Sequence, residues 1–219
     1  MGSEMCIRDR DITDWTNKDV TVTIKTSTDC VAPEGWKQVN KRTFTKVFNA
    51  NGEYSVTLTS VTGVTGDAHL FSITNIDKEA PVISDIQVMD ITANSYVVSC
   101  RVTDNTEVNR VQFPTWSAVN GQDDIVPNWP VNAAASGTRN GDIYTYTVNI
   151  ADHNNDRGIY ATHIYAYDKY GNCSSARVDT IEILELPEIE YDLGDDFFAI
   201  VENAYVHTAL KKIHNGQTQ

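Results

Sequence analysis

The chain has 219 residues, and its 17 Lys and Arg against 30 Asp and Glu give a net charge of −13 and a pI near 4.6. That balance excludes a nucleic-acid binder, which neutralises phosphate with clustered Lys and Arg, and a polybasic membrane anchor. Hydrophobic residues at 41% fit a folded chain, and no apolar run approaches the ~20 residues that a bilayer span needs.

Residues 1–10 are polar and lack the apolar core of a signal peptide. Their run Ser3-Glu4-Met5-Cys6-Ile7-Arg8-Asp9-Arg10 resembles translated sequencing-adapter read-through, so this leader reads as non-native. Short alternating runs follow. Val20, Val22 and Ile24 point one way while Thr21, Thr23 and Lys25 point the other, which predicts a half-buried strand. Asn51-Gly52 predicts a turn, because φ > 0 is cheap at both residue types. Tyr54, Val56 and Leu58 then alternate with Ser55, Thr57 and Thr59, and Phe71 and Ile73 mark another short strand.

Glu79-Ala80-Pro81 marks a boundary, since the residue before proline is pushed to extended geometry. The strand pattern restarts beyond it. Tyr96, Val98, Cys100 and Val102 share one face, Tyr144, Tyr146, Val148 and Ile150 form another stripe, and a further strand runs from Tyr160 to Tyr167. Turn signals at Asn105, Asn120-Gly121, Asn140-Gly141 and Gly171-Asn172 separate them. About seven strands in roughly 100 residues is the pattern of an immunoglobulin-like sandwich. Leu186-Pro187 marks a second boundary. The fold class expected is all-β, with tandem immunoglobulin-like or fibronectin-III-like antiparallel sandwiches over 11–80 and 81–186, and a truncated further domain over 187–219.

Three resemblances extend this reading. Trp15-Thr16-Asn17-Lys18-Asp19 with Val20 to Ile24, the turn from Phe48 to Tyr54, and Asn75-Ile76-Asp77-Lys78-Glu79-Ala80-Pro81 resemble a bacterial immunoglobulin-like surface domain. Four segments within 81–184 are similar to the group B streptococcal Bsp-like repeat. They are Val111-Gln112-Phe113-Pro114-Thr115-Trp116, Asn120 to Ile125, Asp152-His153-Asn154-Asn155, and Thr162 to Asp168 with Gly171-Asn172. That resemblance implies a non-catalytic module of an exported Gram-positive protein, beside a cell-wall hydrolase or glycosidase. The run from Asp192 to Val201 resembles the opening of a ricin-type β-trefoil-like domain, whose parent family binds carbohydrate.

The chemistry follows from the strand faces. Tyr160, Thr162, Ile164 and Ala166 are expected to point inward, with Tyr160 at a tyrosine-corner position. His163, Tyr165 and Tyr167 then point outward, and Trp129 lies in a long segment able to reach them. Together they make a candidate sugar-stacking ridge, with Asp123 and Asp124 as hydrogen-bonding partners for hydroxyls. The opposing expectation is that the segment from 114 to 142 folds over these rings and buries them, with Trp116 in the resulting small core. Asp152, His153 and Asp156 are expected in a solvated turn, and Asp168 is expected to cap a hairpin through its own backbone. Cys6, Cys30, Cys100 and Cys173 have no CxxC spacing and no His at zinc-ligand spacing. Cys100 is expected to be a packed core thiol, a Cys100–Cys173 bridge being the alternative.

The chain has no Gly-x-Ser-x-Gly elbow, no HExxH and no phosphate-cradling glycine loop. The expectation is therefore a non-enzyme without cofactor or metal, extracellular, secreted or wall-associated, and monomeric. Its expected partner is cell-wall glycan or peptidoglycan. The alternative is a structural spacer that projects a hydrolase domain lying elsewhere in the protein.

Overall fold

The computed structural model describes residues 5–119, 126–184, 191–192 and 213–214. Among the described residues the architecture is all-β, with three short 3-10 turns and sheets that are antiparallel apart from one parallel pair of two-residue strands, and residues cluster into two compact units. One unit contains Met1–Val82 together with Val102–Arg110 and Ala166–Ser174. The other contains Ile83–Arg101, Val111–Tyr165 and Ser175–Gln219.

In the first unit the strands are β1 (Met5–Arg10), β2 (Val20–Thr26), β3 (Cys30–Val31), β4 (Lys37–Asn40), β5 (Thr43–Phe48), β6 (Gly52–Val56), β7 (Thr59–Ser60) and β8 (His69–Ile73). They form a sheet in the order β1-β2-β5-β4 and two pairs, β3-β7 and β6-β8. Strand β2 shows why. Val20, Val22 and Ile24 are fully buried while Lys25 is exposed, so one face removes apolar area from water and the other stays wet. Phe44, Phe48, Val56, Leu58 and Ile73 close the same core, and Trp36 meets Phe48 and Phe71 edge-on at 6.1 and 6.4 Å.

The turn expected at Asn51-Gly52 takes a different form. Gly52 is not among the residues with positive φ, and the Asn51 side chain does the work instead. Its Oδ1 accepts from Ile76 N at 2.9 Å and its Nδ2 donates to Ile76 O at 2.7 Å. The amide thus replaces a strand neighbour and satisfies both backbone groups of Ile76.

Further strands are β9 (Val82–Met89), β10 (Ser95–Thr103), β11 (Val108–Gln112), β12 (Thr115–Ser117), β13 (Thr138–Asn140), β14 (Ile143–Asn149), β15 (Gly158–Asp168), β16 (Cys173–Arg177) and β17 (Ile181–Ile183), and the two-residue β18 (Tyr191–Asp192) and β19 (Ile213–His214) pair in parallel. One sheet runs β13-β14-β10-β9. The other runs β11-β15-β12, with β16 and β17 also paired to β15. Gly141, at φ +60°, turns β13 into β14, a conformation cheap only for glycine and Asx residues.

Tyr96, Val98 and Cys100 on β10 face inward, in register with Val148, Tyr146 and Tyr144 on β14. Cys100 is a fully buried free thiol, and burial pushes its pKa up to about 11. Cys30 and Cys173 are also free, so no Cys100–Cys173 bridge forms. Tyr160 is fully buried and its hydroxyl donates to Asp156 O at 2.8 Å, four residues upstream, which is tyrosine-corner geometry.

The turn before Tyr160 is solvated as expected at Asp152, Asn154 and Asn155, and departs from that expectation at His153. His153 is only 3% exposed and packs edge-on to Tyr160 at 5.4 Å. Asn154 and Asn155 take left-handed φ of 57° and 58°, which Asn tolerates better than most residues. Asp156 accepts from Ser117 Oγ at 2.8 Å. His153 thus packs at the core edge while the Asx residues around it stay wet.

Candidate functional site

The rings on β15 are placed by strand period. Thr162, Ile164 and Ala166 point into the core, so His163 and Tyr165 emerge on the opposite face, half-buried. Strand β12 pairs Trp116 with Ala161, which puts the indole on the same face, diagonal to His163. The two rings meet edge-on at 5.0 Å and 82°.

Trp129 arrives from the segment between β12 and β13. A 3-10 turn at Trp129–Val131, with Pro130 at its start, runs into a second at Ala133–Ala135. Asn132 caps the second by accepting from Ala134 N at 2.9 Å. Phe113 N donates to Ala135 O at 2.7 Å, Gly137 N donates to Val111 O at 3.0 Å, and Tyr146 Oη donates to Ala134 O at 2.9 Å. This pinning brings Trp129 within 4.7 Å of Tyr165 at 41°. Tyr165 in turn lies 6.4 Å from His163 at 51°.

Trp116, His163, Tyr165 and Trp129 therefore form a continuous row in the second unit, each half-buried. The row is not the flat ridge expected from period two alone, because every neighbouring pair is tilted. Tilted and edge-on contacts are the favoured packing of aromatic quadrupoles. A sugar face can lie only on the outer side of one or two of these rings.

Tyr167 behaves differently. It belongs to the first unit, and the Arg110 guanidinium carbon sits 3.9 Å over its ring. That cation occupies one face of Tyr167 and leaves at most the other for a sugar. Asp123 and Asp124 lie outside the described residues, as does the run resembling a β-trefoil beyond Asp192.

A second group was not anticipated from the sequence. Asp77, Asp104 and Asp168 each bring one carboxylate oxygen to within 4.8 Å of the others, all in the first unit. Asp168 Oδ1 accepts from the backbone N–H of Tyr170, Gly171 and Asn172 at 2.9, 2.6 and 2.7 Å. Gly171 at φ +95° makes that tight turn possible. Asp77 Oδ1 accepts from Glu79 N at 3.1 Å, and its Oδ2 accepts from Thr106 Oγ1 at 2.9 Å. Asp104 Oδ1 accepts from Thr106 N and Thr106 Oγ1 at 2.9 and 2.7 Å.

Residues 85–180 match the GBS Bsp-like repeat. The matched stretch contains the whole aromatic row and two of the three aspartates. Among solved structures, the chain is similar to a polysaccharide deacetylase from Bacillus cereus, at 20% identity and a TM-score of 0.33, over 55% of this chain and 35% of that one. It is also similar to the fibronectin(III)-like modules of Clostridium thermocellum CbhA, at 12% identity and a TM-score of 0.36, over 82% and 94%. A tetra-tandem repeat from the extending region of a large adhesion protein gives 16% identity and a TM-score of 0.37, over 83% and 50%. The chain thus spans about a third of the deacetylase and half of the adhesion-protein chain. No curated protein matches it significantly. Among the described residues, no helix is long and apolar enough to cross a membrane.

Proposed function

We propose that this chain is a non-catalytic module of an exported surface protein, and that the row Trp116–His163–Tyr165–Trp129 binds cell-wall glycan weakly. The observation that carries this reading is the half-exposed Trp129–Tyr165 pair, 4.7 Å apart on the outer face of a strand whose other face is fully buried. Indole and phenol rings present apolar faces to the C–H face of a sugar and keep a polar tip for its hydroxyls. One or two stacked sugars give an affinity near millimolar, or ~4 kcal/mol, so repeats or neighbouring modules supply avidity. The localisation is extracellular or wall-associated, in keeping with the repeat matched by residues 85–180.

A specific observation favours a second reading. The same tilted contacts pin the segment around Trp129 onto β15, which is a structural task that needs no ligand. On that reading the chain is a spacer projecting a catalytic domain. Tyr165→Ala and Trp129→Ala separate the two. Loss of retention on purified peptidoglycan, at an unchanged melting temperature, supports the glycan site. No wild-type retention, with a melting temperature several degrees lower in the variants, leaves the spacer.

A further inference from the structure

We propose that Asp77, Asp104 and Asp168 form a divalent-cation site that takes Ca2+. Oxygens no farther than 4.8 Å apart leave a centre within about 2.8 Å of all three, and Ca2+–oxygen distances run ~2.3–2.6 Å. The donors are hard carboxylate oxygens with no His or Cys among them, which selects Ca2+ or Mg2+ over zinc. Ca2+ is the better match, because it accepts irregular geometry and does not insist on a compact octahedron.

Two observations beyond proximity point to a ligand. The first is Asp104 Oδ2. This oxygen is buried and accepts no hydrogen bond, although the other oxygen of the same carboxylate is fully engaged. A buried acceptor left unsatisfied costs about 1–3 kcal/mol, and more when charged, unless something binds it. The second is charge. Asp77 and Asp168 are 2% and 1% exposed, yet neither forms an ion pair with Lys or Arg. The two lysines adjacent in sequence are directed elsewhere, Lys78 to Asp19 and Lys169 to Glu107. Buried carboxylates are stable when paired or when they coordinate a metal, and among the described residues no Lys or Arg pairs with either of these two.

The carboxylates are also held in place without a metal. Asn172 Nδ2 donates to Asp168 Oδ2 at 2.6 Å and to Asp77 O at 3.0 Å, which ties two of the three ligand-bearing segments together. Backbone N–H groups hold Asp168 and Asp77, as hydrogen-bonded outer partners orient ligating carboxylates. Bound Ca2+ would offset two of the three negative charges and cross-link three turns distant in sequence. This site is independent of the aromatic row.

Tb3+ luminescence on the whole chain, after treatment with a chelator, tests the proposal. Tyr170 stacks on Trp15 at 5.6 Å and its N–H donates to Asp168, so the sensitising rings stand beside the site. The expected result is saturable luminescence that Ca2+ displaces, together with a melting temperature that rises on adding Ca2+ and falls in chelator. Asp104→Asn should weaken Ca2+ affinity at least tenfold, while Asp67→Asn, an exposed acid of the same unit, should leave it unchanged. Absence of both luminescence and a Ca2+-dependent melting shift at millimolar Ca2+ overturns the proposal, as does an unaltered affinity in Asp104→Asn. Should Asp104→Asn fail to fold, the wild-type melting shift alone decides between these outcomes.

Discussion

Gly137→Ala tests the packing of the second unit, because two opposing effects have different sizes there. Gly137 does not adopt a left-handed φ, so the backbone itself accepts alanine. Restricting the unfolded chain in this way stabilises a protein by about 0.4–1 kcal/mol. The added methyl, however, falls well inside van der Waals contact with Phe113 Cε2 and lies 3.2 and 3.3 Å from Cδ2 and Cζ. Phe113 has nowhere to go. It is fully buried and stacks on Tyr146 at 5.4 Å and 5°, and Tyr146 is anchored by its hydroxyl to Ala134 O. Overpacking of this kind costs about 1–3 kcal/mol, so the clash outweighs the entropy gain by about 1–2 kcal/mol. For a unit of roughly 100 residues that lowers the melting temperature by about 5–10 °C. Differential scanning calorimetry reads the shift, and Phe113→Leu placed on the Gly137→Ala background should recover part of it through a favourable coupling energy. A Gly137→Ala chain that melts at or above the wild-type temperature would refute the argument.

Two further outcomes follow from buried groups. Burial pushes Tyr96 up to about 12 and Cys100 up to about 11, and it also raises Tyr144 and Tyr146. The folded state therefore holds protons that the unfolded state releases, so stability is intact below about pH 9 and falls as pH rises toward 12; urea melts across that range, with tyrosinate absorbance tracking ionisation, should show the loss, and a flat profile would contradict it. Asp168→Ala removes the acceptor for three backbone N–H groups and should cost about 3 kcal/mol, while Asp168→Asn, which keeps a neutral acceptor, should cost roughly half as much. Equal costs for the two in a denaturant melt would show that the acceptor is not what matters.

The strands were legible wherever period two coincides with a single buried face. Val20, Val22 and Ile24 declare β2, and Tyr96, Val98 and Cys100 declare β10, because a register slip would move each set into water. Asn51 was not legible in the same way. Asn-Gly is a local turn signal, whereas the bond pair to Ile76 links residues 25 apart, and no local pattern encodes it. The burial of His153 is hidden from the local sequence for a related reason. Asp-His-Asn-Asn has loop composition, but the imidazole packs edge-on against Tyr160, seven residues on, and composition does not encode that contact.

The candidate sites divide along the same line. Alternation places His163 and Tyr165 on one face, yet their tilt depends on Trp116 and Trp129, which come from other segments. The hairpin-capping geometry of Asp168 is local, encoded by an aspartate three residues before a glycine with positive φ. That the same carboxylate meets Asp77 and Asp104 is not local at all. Spacing cannot separate a capping aspartate from a ligating one, because both favour turns. Hydrogen-bond accounting can. Asp168 has both oxygens hydrogen-bonded by its own turn, whereas Asp104 keeps one buried oxygen that no protein donor reaches. A buried oxygen of half-buried Asp104 that has no donor, beside two buried carboxylates, is better explained by a cation arriving there than by turn formation alone.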